Sequence, residues 1–269
     1  MHAPGARTTV EHHGTTSGSG RVSRNAVAEL VLVRHGESVG NVAATRAERA
    51  GAEVIDLATR DADTPLSRRG EEQAEALGTW LREQPDGSAP QSVWCSPYVR
   101  AVQTATIALR AGGRDLAPHL DERLRDRELG ILDLLTTRGV EARYPAEAAR
   151  RRHLGKFYYR PPGGESWADL VLRVRAFLGD LDRAEDGRRV LLVAHDAVIM
   201  VVRYVCEGLT EHEVLDLGRR TPVRNAAVTR LVRTGAAAWT VAAFNDDGHL
   251  AREGAPVTTH PGDRDALPH

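Results

Sequence analysis

Two histidines follow apolar segments that are typical of buried strands. His35 comes directly after "LVLVR", and His195 comes directly after "VLLVA". In an open α/β sheet, ligands bind beyond the carboxyl ends of the strands. A neutral imidazole in that position can act as a nucleophile or can hold a ligand. If the two strands are neighbours, the sequence therefore predicts a reactive site at the edge where both strands end.

Two arginines belong to the same pattern. Arg34 precedes His35, and a third segment, "SVWCSP", leads into a helix that carries Arg100. Two guanidinium groups and two imidazoles around one point repel each other unless a strongly negative group lies between them. A phosphoryl group fits, because planar arginine forks match its oxygens. The alternative is that the histidines end unrelated strands and the arginines are solvated.

The elements that must position these residues alternate along the chain. Short aliphatic runs predict strands, and a period near 3.6 residues predicts helices. Alternating strands and helices favour an α/β fold, a three-layer α/β/α sandwich around a mostly parallel sheet. The predicted strands are 29–33, 92–95, 190–194, 223–232 and 237–244, and the clearest predicted helices are 67–82, 97–111, 166–183 and 198–207.

The composition changes at both ends of the chain and once inside it. Residues 1–27 are rich in Gly, Ser, Thr, Arg and His, which predicts a disordered leader. Residues 249–269 look similar and predict a flexible tail, so that one domain occupies residues 28–248. Within it, residues 124–164 are rich in arginine and poor in aliphatic side chains. We expect that segment to be a small cap insertion lying over the sheet edge.

The overall charge and the cysteine content narrow the functional classes. The chain has 36 basic and 37 acidic residues, which argues against general binding to nucleic acid or to a membrane surface. Cys95 and Cys206 lie in apolar surroundings and predict free thiols in a reducing compartment. The chain lacks an apolar run of the roughly 18 residues that span a bilayer, and it lacks a signal core. A cytoplasmic protein is expected.

Five sequence blocks resemble a known family. "RHGES" with Asn41 shortly after it, "TPLSRRGEEQA", "SPYVRAVQTA", "GGES" and "VAHDAVI" occur in one order along the chain. They resemble the signature blocks of the histidine phosphatase superfamily, in its phosphoglycerate-mutase-like branch. The resemblance covers about residues 28–245.

The resemblance implies a mechanism in which His35 attacks phosphorus and becomes a phosphohistidine that water releases. The backbone of Gly36 would hold the other ring nitrogen of His35. Arg34, Arg100 and His195 would bind the equatorial oxygens, where the transferring group spreads its charge. Asn41 would add a hydrogen bond. No metal or other cofactor is expected, because the arginines supply the positive charge and the histidines lack the spacing of a helical zinc site.

The leaving group also needs a proton. The mutase-like members carry a glutamate in a pattern of the form L-x-E-x-x-x-G, and the corresponding stretch "LRDRELG" places Asp126 at that position. Two rivals remain open. Glu128 lies two residues further on, and Asp196 follows His195 in an "HD" pair like the one that the acid-phosphatase and phytase branch uses as its proton donor.

The sequence of the cap predicts which kind of substrate the site selects. "RRHLGKFYYRPPGGES" resembles the corresponding stretch of the bisphosphatase domain of the bifunctional fructose-2,6-bisphosphate enzyme. Arg152, Lys156 and Tyr159 match its substrate-binding pattern. A spacing of four residues on a helix would place both cations on one face, ready for a second anionic group. The alternative is a solvated basic helix.

Hydrolysis is the function that we expect first. The chain would be a phosphatase acting on a small phosphorylated metabolite of the sugar phosphate or bisphosphate type. A mutase that moves phosphate within one substrate is the second hypothesis, and a non-catalytic domain that binds a phospholigand is the third. An edge helix or the predicted strand pair near residues 223–244 offers a surface for a homodimer.

Overall fold

Six strands form one sheet in the part of the chain that this computed structural model describes, residues 26–236 and 238–260. The order across the sheet is β3-β2-β4-β1-β5-β6. Only β5 runs against its neighbours, so the sheet is mostly parallel, as expected. The strands are β1 (Glu29–Arg34), β2 (Ser92–Cys95), β3 (His119–Leu120), β4 (Arg189–Ala194), β5 (Val228–Arg233) and β6 (Trp239–Asp246).

Helices cover both faces of this sheet, which confirms the three-layer α/β/α fold. On one face α2 and α3 pack together, and on the other α6 packs against α7. The described helices are α1 (Val39–Arg49), α2 (Arg68–Glu83), α3 (Val99–Ala111), α4 (Thr137–Arg143), α5 (Pro145–Tyr158), α6 (Trp167–Ala184), α7 (Asp196–Glu207), α8 (Glu211–Arg220) and α9 (Gly248–Arg252). None of them is long and apolar enough to cross a membrane.

The central strand β1 contains an uninterrupted apolar run because both of its faces are covered. Leu30 and Leu32 join the cluster beneath α6 and α7, whereas Val31 and Val33 join the cluster beneath α2 and α3. Successive side chains of a strand point to opposite faces, so a strand covered on both sides needs apolar residues at every position. Each fully buried side chain of this size contributes about 1.5–3 kcal/mol to folding. The apolar run therefore stops at Val33, and Arg34 is the last residue of β1.

The elements that were not predicted from the sequence are short or polar. The predicted strands and helices are present with shifted ends, but α1, α4, α5, α8, α9 and β3 were not predicted. The strand expected over residues 223–232 begins only at Val228. Ala226 before it has a φ of +54°, and its N–H donates to the carbonyl of Arg34. A turn is needed there, because the chain closes against the end of β1.

The described parts of the predicted leader and tail belong to the fold. Val27 is buried, and its N–H donates to Asp182. The expectation of a flexible tail is wrong for residues 249–260, because His249 and Leu250 are buried and Leu250 packs with Ala76. Leu250 is the apolar residue that joins this segment to the core. Residues 1–25 of the leader and 261–269 of the tail lie outside the described residues.

The cap segment is joined to the loop that precedes α2. Val54 and Leu135 form an isolated antiparallel bridge, and the N–H of Thr136 donates to the carbonyl of Glu53. Gly139, at the start of α4, approaches that carbonyl so closely that a Cβ would lie 1.9 Å from its oxygen. Only glycine fits there. The cap and residues 51–66 thus form one rim above the sheet edge.

Candidate active site

The register of β1 and β4 brings the two histidines together. Arg34 pairs with Ala194, and the N–H of His35 donates to the carbonyl of Ala194 at 2.9 Å. The rings of His35 and His195 consequently lie edge to face, with centroids 5.2 Å apart. The predicted meeting of the two strand ends is present.

His35 is held in the form that a nucleophile needs. Its Nδ1 lies 2.7 Å from the carbonyl oxygen of Gly36. That oxygen accepts a hydrogen bond from Nδ1–H, so the lone pair remains on Nε2. The pKa of His35 is lowered well below 6.5, first by burial and then by Arg100, His195 and Arg34. The imidazole is therefore neutral near pH 7 and can attack an electrophile.

Arg100 donates four hydrogen bonds and makes one further ion-pair contact. Nε donates to Nε2 of His35 at 3.2 Å. Nη1 contacts the carbonyl oxygen and Oδ1 of Asp61 at 2.6 and 3.0 Å. Nη2 lies 3.0 Å from Oδ2 of Asp61 and 3.2 Å from Oδ2 of Asp126. Arg100 thus links the nucleophile to two carboxylates that belong to different loops of the rim.

Arg34 is buried in a different environment. Its Nη1 and Nη2 donate to the backbone carbonyls of Val223 and His260. Its Nε has no hydrogen-bond partner, and no carboxylate of the described residues lies within ion-pair distance. A buried cation without a counter-ion is unfavourable. This side of the site therefore favours an anionic ligand.

His195 forms the wall opposite His35. Its Nε2 lies 2.8 Å from Oγ of Ser96, and its Nδ1 lies 3.3 Å from Oδ2 of Asp126 without hydrogen-bond geometry. Its pKa is lowered well below 6.5, first by burial and then by the two arginines Arg100 and Arg34. A neutral His195 can donate one hydrogen bond to a ligand oxygen.

Asp126, the first candidate acid, contacts both Arg100 and His195. Besides Arg100 and His195, it meets the backbone N–H of Arg127, which donates to its Oδ1. Its loop is held from α6, where Nη2 of Arg173 donates to the carbonyl of Asp126 at 3.0 Å. Arg173 also pairs with Glu165 at 2.9 Å. The position of Asp126 is consequently fixed from the helix.

The two rival acids have different contacts. Oε1 of Glu128 accepts from the hydroxyl of Tyr98 at 2.8 Å, and the ring of Tyr98 separates it from His195. Asp196 opens α7, where its Oδ1 accepts from the N–H of Ala197. Which carboxylate donates the proton stays a prediction, and Asp126 is the candidate that contacts Arg100 and His195 together.

Four further predicted residues have other contacts. Oδ1 of Asn41 caps α1 by accepting from the N–H of Ser38. Arg152 is exposed, and Lys156 lies over the ring of Trp167. The hydroxyl of Tyr159 donates to Glu147.

The argument that Arg152 and Lys156 share one helix face is wrong. Gly155, between them, has a φ of +75° and interrupts α5. A glycine there allows the left-handed backbone that ends a helix turn. The roles of Arg152, Lys156 and Tyr159 in binding substrate remain predictions.

Four residues of the site and its surroundings were not singled out from the sequence. Asp61 pairs with Arg100, and Arg173 holds the Asp126 loop. Thr104 accepts from the N–H of Gly36 at 3.0 Å and donates to the carbonyl of Arg100. The ring of His260 bridges Thr45 and Glu37. Of these four residues, only Thr104 could have been recognised from the sequence, because it lies one turn after Arg100 on a predicted helix. The described residues contain no group of three or more His, Cys, Asp or Glu that could hold a metal ion.

Comparisons with known proteins agree with this geometry. The chain matches the histidine phosphatase superfamily (branch 1) over residues 30–247. It is 34% identical over 197 residues to a 2,3-bisphosphoglycerate-dependent phosphoglycerate mutase of Methylobacterium radiotolerans, covering 72% of this chain and 86% of that protein. It is 33% identical over 173 residues to a 6-phosphofructo-2-kinase/fructose-2,6-bisphosphatase of Caenorhabditis elegans, covering 64% of this chain and 33% of that protein.

A solved structure shows the same likeness in three dimensions. The mycobacterial glucosyl-3-phosphoglycerate phosphatase superposes with a TM-score of 0.64 at 27% identity. The match covers 82% of this chain and 99% of that one. The similarity therefore extends over nearly the whole of a phosphatase of this fold.

Proposed function

Because this chain belongs to the histidine phosphatase superfamily (branch 1), we propose that it hydrolyses a small phosphorylated metabolite through a phosphohistidine on His35. One observation carries the proposal. The neutral imidazole of His35 presents Nε2 beside Arg100, while the buried Arg34 lacks a carboxylate partner among the described residues. A nucleophile next to an unsatisfied cation suits a phosphoryl group.

The reaction would proceed in two displacements. Nε2 of His35 forms a bond to phosphorus as the ester P–O bond breaks, and the carboxyl group of Asp126 gives its proton to the departing alkoxide. Water then attacks phosphorus, the N–P bond breaks, and the carboxylate of Asp126 takes the proton from that water. Inorganic phosphate leaves, and both residues return to their starting forms.

The arginines and His195 would supply the stabilisation of the transition state. The phosphoryl group spreads negative charge over its three equatorial oxygens, and fixed N–H donors around it need no reorganisation during the reaction. Arg34 contributes its unpartnered Nε, and His195 contributes a ring N–H. These groups bring positive charge and donors to the phosphoryl site without a metal in the proposed reaction.

Similarity to glucosyl-3-phosphoglycerate phosphatase and to fructose-2,6-bisphosphatase favours a sugar phosphate or bisphosphate as the substrate class. Similarity to a phosphoglycerate mutase favours a second function, in which a second hydroxyl of the substrate, rather than water, accepts the phosphoryl group. The two functions share the phosphohistidine and differ in the acceptor.

The test is hydrolysis of p-nitrophenyl phosphate in the presence of EDTA. We expect turnover by the wild type, loss of turnover in His35→Ala, and full activity in the control His119→Ala, whose exposed side chain lies outside the site. A brief quench in alkali should also trap a base-stable, acid-labile phosphoryl group on the wild type alone. Turnover that requires added metal, or that persists in His35→Ala, would contradict the proposal.

A panel of substrates then separates the alternatives. Release of inorganic phosphate from sugar phosphates or bisphosphates indicates a phosphatase. Isomerisation of phosphoglycerates without release of phosphate indicates a mutase. Phosphate binding without either reaction indicates a domain that only binds a phospholigand.

A further inference from the structure

Four of the five N–H groups of Arg100 donate hydrogen bonds, and its Nη1 also lies 3.0 Å from Oδ1 of Asp61. A guanidinium has five donors, and here they meet His35, Asp126 and three oxygen atoms of Asp61. A phosphoryl group that uses Arg100 must therefore replace at least one of these contacts. The question is which partner leaves.

Asp61 is the partner with a route into water. Its side chain is 46% exposed, compared with 25% for Asp126. Asp61 lies in a single 3-10 turn, Asp61–Asp63, whose N-cap residue Arg60 makes no side-chain capping hydrogen bond. Asp126 instead sits in a loop that Arg173 holds from α6 through three backbone carbonyls. Asp61 is consequently easier to move than Asp126.

The balance of charge also requires a change at this place. Arg34 and Arg100 are opposed by Asp61 and Asp126, so the site without ligand is close to neutral. A phosphate dianion entering beside two carboxylates would be repelled by both. The pKa of Asp61 is raised, first by burial and also by the neighbouring Asp126, although Arg100 lowers it. Moving the Asp61 carboxylate to water removes one of the two repulsions.

We propose that Asp61 is a displaceable carboxylate that competes with the phosphoryl group for Arg100 and so sets the affinity of the site for phosphate. In the resting site its two carboxylate oxygens occupy the two ends of the Arg100 fork, where phosphoryl oxygens would bind. The entering ligand takes over Nη1 and Nη2, and Asp61 turns towards water. This inference rests on the proposed function, because it concerns the same phosphoryl site.

The consequence is weaker inhibition by the product. Inorganic phosphate competes only for the phosphoryl site, whereas a substrate also gains contacts from the remainder of the molecule. A carboxylate that competes for Arg100 weakens both, but the substrate compensates through its other contacts. Asp61 would therefore lower the fraction of enzyme that phosphate occupies at a given phosphate concentration.

The experiment measures the binding of inorganic phosphate by calorimetry, which needs no turnover. Asp61→Asn keeps the size of the side chain and removes its charge, and we expect phosphate to bind about three- to tenfold more tightly, as expected for a partly exposed ion pair. The matched control is Asp63→Asn in the same turn, whose carboxylate pairs with Arg60 only. The control should bind phosphate as the wild type does. Asp61→Ser provides a second variant if the amide perturbs the loop.

The outcomes are distinct. Tighter binding in both Asp61 variants supports the inference, as does binding that is detectable in the variants but not in the wild type. Unchanged or weaker binding overturns it, because Asp61 then only positions Arg100. Unchanged binding with slower hydrolysis of alkyl phosphates also overturns it, since Asp61 would then be the proton donor. Phosphate binding without any turnover would contradict the proposed function while leaving this test intact.

Discussion

The two arginines of the site differ in how their charge is balanced. Among the described residues, Arg34 at the end of β1 donates only to backbone carbonyls and has an unpartnered Nε. Arg100, at the start of α3, meets Asp61 and Asp126 from two loops of the rim. One cation is held by neutral dipoles on the sheet side, and the other is neutralised by charged groups on the loop side.

Because of this difference, we expect the two arginines to have different roles in binding phosphate. A buried cation without a counter-ion gains much from an anionic ligand, so the Arg34 side drives phosphate binding. The Arg100 side must exchange one anion for another, so the gain there is smaller and depends on the loops. The following predictions test this division, beginning with the largest expected effect.

Arg34→Met should remove most of the affinity for phosphate. The same substitution should also lower turnover by about 10²–10³-fold, the typical cost of losing an electrostatic stabiliser in a water-excluded site. Phosphate at a hundred times its Kd should stabilise the wild type by about 2.7 kcal/mol. We expect that stabilisation, measured as a shift in the urea unfolding midpoint, to disappear in Arg34→Met.

The control for this variant is Arg230→Met, which removes an arginine that already pairs with Glu29 at 2.6 Å. The control should keep the stabilisation by phosphate. If Arg34→Met keeps it too, the sheet side does not drive binding, and the comparison between the two arginines fails.

Asp126→Asn should slow the release of poor leaving groups by about 10²-fold, within the usual range for general acid catalysis. Release of p-nitrophenolate should change much less, because that anion leaves without a proton. The ratio of kcat values for an alkyl and a nitrophenyl phosphate measures the effect. Glu128→Gln and Asp196→Asn are the matched variants, and the same pattern in either one would show that Asp126 is not the acid.

Arg173→Met should produce a smaller effect of the same kind. Arg173 donates to three carbonyls of the loop and pairs with Glu165, so its loss frees Asp126 without removing it. Misplacing a catalytic group costs rate even when the group is present. We expect about a tenfold loss in kcat for alkyl phosphates and little change in KM. Arg175→Met on the same helix is the control, and equal losses for alkyl and nitrophenyl phosphates would indicate general damage to the fold.

The smallest effect concerns pH. Protonation of His35 removes its lone pair, and its pKa is lowered well below 6.5, with Arg100 ranking before Arg34 among the causes. An unshifted histidine would lose about half of its neutral form at pH 6.5. We expect kcat/KM, corrected for ionisation of the substrate, to stay constant within about 20% between pH 7.5 and 6.5, whereas an unshifted histidine would cost nearly half of it. An inflection near 6.5 would show that His35 is not buried beside the arginines as described.

The sequence by itself determined the α/β layers and the pairing of His35 with His195. Both depend on local patterns, because a strand buried on two faces must be apolar throughout and its polar neighbours must then mark its end. The resemblance in five blocks added the family, which the comparisons show. Residue roles such as that of Asp126 remain predictions.

The tertiary structure decided what no local pattern contains. Asp61 and Arg173 reach the site from segments 39 and 47 residues away from their partners Arg100 and Asp126. Their contacts depend on how the rim folds over the sheet edge. A single glycine, Gly155, likewise undid the expected helix face, because one backbone angle redirects every side chain after it. Charge balance at Arg34 and Arg100 arises from such distant contacts, and for that reason it could not be read along the chain.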